Sequence, residues 1–153
     1  MTQTPAATTH APAGHHTVTP YVIVPDARAA IAFYIRAFGA VQTSLTTDDA
    51  GKVRHAEVRI GDSPIMLAEN FEFRGVSATP PSTLGGRTSM HIYLYVPDVD
   101  ARFAQAIAAG AGEVMPVTDQ AYGERSGGVV DPFGHVWWLA TAASHHDGRR
   151  GVE

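Results

Sequence analysis

His55 and Glu57 lie two apart in the alternating stretch "VRHAEVRI", so on a β-strand they share one face. With a second histidine, His91, turned towards them, they would form the two-histidine, one-carboxylate set that iron and zinc accept. Glu69 and Glu124 are placed to add a further carboxylate. Without a metal the same trio could act as an acid-base set, with His55 or His91 as the base and Glu57 orienting it. A His-x-Glu pair on a strand is as readily an ordinary hydrogen-bonded pair. Asp131 stands in "DPFG", which is first a turn signature, and His135, at the start of the next strand, reads as a local structural residue. The sequence contains no cysteine, which excludes thiolate metal sites, disulfides and a cysteine nucleophile.

Bulk properties narrow the partners. A chain of 153 residues suits one domain with its own core. The apolar share of 44%, the charged share of 17% and the formal charge of −4 describe a globular protein without the basic field that nucleic acid demands. No apolar run approaches the roughly 20 residues that span a bilayer, so the expectations are no membrane, no nucleic acid and a cytoplasmic location. Residues 1–17 and 142–153 lack hydrophobic periodicity and read as mobile tails. Their histidines, His10, His15, His16, His145 and His146, read as solvated side chains, because a tail cannot preorganise metal ligands.

The elements that must position these residues are written twice. Val24, Pro25 and Asp26 recur 72 residues later as Val96, Pro97 and Asp98, and the same offset relates Ala29 to Ala101, Ala37 to Ala109 and Leu67 to Leu139. An offset held without a gap over some fifty residues signals a duplicated supersecondary unit. In each copy an apolar strand, "VTPYVIV" or "MHIYLYV", ends at a Pro-Asp pair whose Asp can cap a helix. A helix follows and closes at Gly39 or Gly110, and three strands come after it. The chain therefore divides into a βαβββ unit over 18–70, a Pro/Gly/Ser-rich connector over 71–88 that reads as a long loop, and a second βαβββ unit over 89–141.

The stretches "VTPYVIV", "AIAFYIRAFGA", "HAEVRIGDSPIML" and "YGERSGGVVDPFGHVWWLAT" resemble the vicinal oxygen chelate superfamily of glyoxalase I, bleomycin-resistance proteins and extradiol dioxygenases, in its PhnB-like branch. The resemblance spans about Val18 to Thr141 and implies an α+β fold: two tandem βαβββ units whose curved mixed sheets back onto helices and enclose a pocket with their concave faces. Alternation then sends His55, Glu57, His91, Tyr21, Met66, Tyr93, Tyr95 and Trp138 inward. Metal-using relatives place four ligands at positions that here are Thr19, Met66, His91 and Trp138, and such a set cannot hold a divalent ion, since only His91 is a fitting ligand. The pair Glu124 and Arg125 resembles a family pair in which Arg125 would clamp a carboxylate or phosphate with Glu124 orienting it, or would form a structural ion pair.

Three functions remain open. The first is a metal-independent protein of the bleomycin-resistance type, sequestering a flat or aromatic compound between Tyr21, Met66, Tyr93, Tyr95, Arg125 and Trp138 with no cofactor. The second is an enzyme, either a metal-dependent lyase, isomerase or dioxygenase or a metal-free acid-base catalyst, using His55, Glu57 and His91. The third is a scaffold whose aromatic residues merely fill the barrel. The resemblance also implies a homodimer.

Overall fold

A computed structural model describes residues 10–142, and in it each unit folds as one four-stranded sheet with one helix. Unit one comprises β1 (Tyr21–Val24), α1 (Ala27–Phe38), β2 (Val41–Thr47), β3 (Val53–Ile60) and β4 (Ser63–Glu69). The connector is not a plain loop: it folds into the hairpin β5 (Phe71–Phe73) and β6 (Val76–Ala78), followed by a 3-10 turn at Pro81–Leu84. Unit two comprises β7 (Ile92–Tyr95), α2 (Val99–Ala109), β8 (Gly112–Asp119), β9 (Glu124–Val130) and β10 (Val136–Ala142). The sheets run β1-β4-β3-β2 and β7-β10-β9-β8. In each the first and last strands pair in parallel, while the remaining pairs are antiparallel. The result is the expected α+β architecture, with two sheets that do not close into one barrel.

The repeat extends to single hydrogen bonds. Asp26 and Asp98 each cap their helix, their carboxylates accepting the N–H of Ala29 at 2.9 Å and of Ala101 at 3.1 Å. The next free amide, Ala27 or Val99, is satisfied from the last strand of its unit, by Glu69 Oε1 at 3.2 Å and by Thr141 Oγ1 at 3.0 Å. Gly39 and Gly110 end the helices in the left-handed region, with φ of 68° and 117°. One expectation needs correction. The offset is 72 for the first and last strands, where Tyr21 pairs with Met66 and Tyr93 with Trp138. For the third strand it is 71, because Met66 pairs with Glu57 whereas Trp138 pairs with Gly128. The loop 120–123 is one residue shorter than its counterpart 48–52, which produces the slip.

Both sheets turn one face to the helices. Ala56, Val58, Ile65, Leu67, Val22 and Val24 do so in unit one, and Val129, Trp137 and Leu139 in unit two. The helices pack on each other, and α1 meets β10 through an aromatic core in which Phe38 lies 4.5 Å from Trp137 and Tyr34 lies 5.3 Å from it, between ring centroids. At its centre is Asp131. The turn reading is correct: Oδ1 accepts the N–H groups of Phe133 and His135, each at 2.9 Å, and Gly134 has a φ of 92°. The carboxylate does more than turn the chain, because Oδ2 accepts the Tyr34 hydroxyl at 2.8 Å and the Trp137 indole N–H at 3.0 Å. His135, expected to act locally, donates from Nε2 to the carbonyl of Ile23 at 2.7 Å and so ties unit two to β1.

Asp131→Ala would leave four donors without their acceptor, and a loss of about 3–5 kcal/mol is expected. Tyr34→Phe removes one bond to a charged acceptor and should cost about 1.5–3 kcal/mol. Urea unfolding checks the order, which is wrong if Asp131→Ala proves the milder change.

Candidate functional site

The inner face of unit one carries the expected polar set. Tyr21, Met66 and Glu57 form one row across β1, β4 and β3, and His55 lies beside it with its ring 5.9 Å from that of Tyr21. The register of β2 on β3 shifts around Thr43. The Thr43 hydroxyl donates to Glu57 Oε1 at 2.9 Å. The other carboxylate oxygen is taken by a residue from the supposed tail: His15 Nε2 donates to Glu57 Oε2 at 2.7 Å. Two more bonds hold that segment, from Arg59 Nη1 to the Gly14 carbonyl at 3.1 Å and from His16 Nε2 to the Asp62 carbonyl at 3.2 Å. Residues 14–16 therefore form a strap across the sheet, and the reading of His15 as a solvated tail residue gives way, while His16 stays exposed. His10 is exposed, and His145 and His146 lie outside the described residues.

The strap perturbs both titrating partners. The bond to Glu57 raises the His15 imidazole above its ordinary value near 6.5, against a lesser opposing effect of burial. Burial pushes the Glu57 carboxyl up, but the bonds from His15 and Thr43 outweigh it and leave Glu57 below its ordinary value. A raised His15 contributes stability in full below its ordinary value and loses it as pH rises through the raised one. A lowered Glu57 contributes above its own ordinary value and loses it as pH falls through the lowered one. The strap is held best between about 4.5 and 6.5.

The inner face of unit two is aromatic. In the row equivalent to Tyr21–Met66–Glu57 stand Tyr93, Trp138 and Gly128. A Cβ at Gly128 would come within 2.6 Å of the Trp138 ring, so the missing side chain is what lets the indole lie on the sheet. Trp138 Nε1 donates to His91 Nδ1 at 3.0 Å. Tyr93 and Tyr95 direct their hydroxyls to the two oxygens of Glu124, at 2.7 and 2.8 Å. In the single chain Tyr21, Tyr93 and Tyr95 are 44%, 44% and 61% exposed. A groove of about 260 Å³ lies elsewhere, lined by Arg54, Glu69, Phe71, Glu72 and Phe73.

Alternation thus places every inward residue on the expected face, but the chemistry does not converge as a metal site would. Among the described residues no three His, Asp or Glu side chains are gathered to hold an ion, so His55, Glu57 and His91 are not one cluster within the chain. The side chains at the family's ligand positions, Thr19, Met66, His91 and Trp138, do not fit a divalent ion either, because an indole does not ligate and a thioether suits soft ions, and His91 Nδ1 accepts from Trp138. Glu69 caps α1. Arg125 is not oriented by Glu124: it points through the sheet and pairs with Asp100 at 2.8 and 2.9 Å and with Asp119 at 3.2 Å, the structural ion pair of the two readings. Sequence reasoning missed the roles of His15, Thr43 and Gly128. Only Gly128 carried a signal, as a glycine inside a strand pattern.

A sequence model of the Glyoxalase/Bleomycin resistance protein/Dioxygenase superfamily matches residues 14–139. The protein Mb0911c of Mycobacterium bovis is 42% identical over 123 residues, 80% of this chain and 80% of its own. Among solved structures, TioX from Micromonospora sp. ML1 is 29% identical with a TM-score of 0.64, over 84% of this chain and 97% of that one. A PhnB protein from Bacillus cereus, 20% identical with a TM-score of 0.62 over 83% and 100% of the two chains, shares the fold.

The strap can be read directly by NMR. In a pH titration of the histidine ring protons, His15 should titrate above its ordinary value in the native chain and fall back in Glu57→Gln. An unchanged His15 midpoint in that variant would mean that the contact does not persist in solution.

Proposed function

The chain belongs to the Glyoxalase/Bleomycin resistance protein/Dioxygenase superfamily, and on that premise we propose that it binds and sequesters a small, flat organic molecule without using a metal. The observation that carries this reading is the row Tyr93–Trp138–Gly128, where an indole lies over a bare glycine beside two exposed tyrosines. Such a surface offers stacking area with few polar demands, which suits a flat aromatic ligand. Tyr21 and Met66, in the equivalent row of unit one, offer a second and more polar wall.

The proposal includes a homodimer. The ring contacts described for each inner face stay within its own unit, and Tyr21, Tyr93 and Tyr95 there are exposed in one chain. A second copy would cover that area and complete the pocket. The acid-base reading has less support, because Glu57 is engaged by His15 and Thr43 and His91 accepts from Trp138. No helix among the described residues is long and apolar enough to cross a membrane.

Isothermal titration with a series of neutral flat aromatics tests the reading. Binding should weaken about tenfold in Trp138→Ala and in Tyr95→Ala, as loss of one stacking partner implies. Light scattering on the same samples should return twice the chain mass. Unchanged affinity in both variants would remove the aromatic face from the site.

A further inference from the structure

We infer that the tyrosine–carboxylate cluster on the inner face of unit two seats an organic cation, a methylated ammonium group carried by the small molecule. The inference rests on the ligand-binding reading above and specifies its charge. Glu124 accepts hydroxyl bonds on both oxygens, from Tyr93 and Tyr95, and each oxygen keeps lone-pair capacity. Among the described residues no Lys, Arg or His forms an ion pair with it. The adjacent Arg125 cannot serve, because it points to the opposite face and is held by Asp100 and Asp119. His91, on the same face, is engaged with Trp138.

Among the described residues the cluster therefore presents a carboxylate without a basic partner, bonded at both oxygens by tyrosine hydroxyls. Tyr93 and Tyr95 lie 5.3 Å apart at 46°, with Tyr95 61% exposed. Burial and the Glu124 bond push the Tyr93 hydroxyl up, and the Glu124 bond followed by burial does the same for Tyr95, so both hydroxyls stay protonated as donors. A carboxylate beside exposed tyrosine rings attracts a methylated ammonium, which is drawn both to the negative charge and to aromatic rings.

The test compares 3-(trimethylammonio)phenol with its neutral isostere 3-tert-butylphenol on the full chain by NMR titration. The cation should bind about tenfold tighter, with shifts centred on Tyr93, Tyr95 and Glu124, and added salt should weaken only the cation. Glu124→Gln, which keeps the shape, should bring the two affinities together. Tyr95→Phe keeps the ring and should retain most of the preference. Equal affinities in the native chain, or a cation preference that survives Glu124→Gln, would overturn the inference. If the neutral phenol binds this face without any cation preference, the inference fails and the sequestration reading stands; if neither compound binds, both fail.

Discussion

Four donors from both halves of the molecule converge on the carboxylate of Asp131, and the relation between the two units depends on that convergence. Two of them are backbone amides of its own turn, which fix the entry into β10. The third is the indole of Trp137 on that strand, and the fourth is the hydroxyl of Tyr34 from α1. A buried carboxylate is costly to desolvate unless its lone pairs are filled. Here they are filled only when α1 of unit one lies against β10 of unit two. The aromatic core around it supplies area, and the carboxylate supplies orientation, because hydrogen bonds are directional while apolar contacts are not.

Once the helices are fixed back to back, each sheet presents its other face outward, and the duplicated frame becomes two different surfaces. The rows Tyr21–Met66–Glu57 and Tyr93–Trp138–Gly128 occupy equivalent places. Where unit one has a flexible thioether and a carboxylate, unit two has an indole and no side chain. The substitutions are reciprocal: the large ring at 138 requires the empty position at 128. Unit one is further closed by its strap, while unit two remains open with its tyrosines gathered on Glu124.

Much of this was legible in the residues. Alternation located the inner faces because helix-facing positions must be apolar, and Asp26, Asp98, Gly39 and Gly110 marked the helix ends because orphaned backbone groups there demand such residues. The illegible parts depend on distance in sequence. His15 meets Glu57 across 42 residues and His135 meets Ile23 across 112, and no periodicity announces either bond. A segment without hydrophobic pattern reads as a tail even when it is pinned by three polar contacts. Arg125 was legible only as one of two possibilities, since its face depends on the register of β9, and the one-residue slip was hidden by an offset that returns to 72 in the last strand.

That slip constrains how the two halves can exchange material. A recombination event joining them within a loop before the third strand, or within a helix, yields a strand of consistent alternation. A crossover inside β3 and β9, aligned on the 72-residue repeat, would follow the core-facing Ala56 with the core-facing Val129. The hybrid strand would turn inside out at the junction and carry its remaining apolar residues into solvent. The two copies are thus interchangeable as whole modules but not across this strand, which isolates each inner face from homogenisation by the other and leaves it free to diverge.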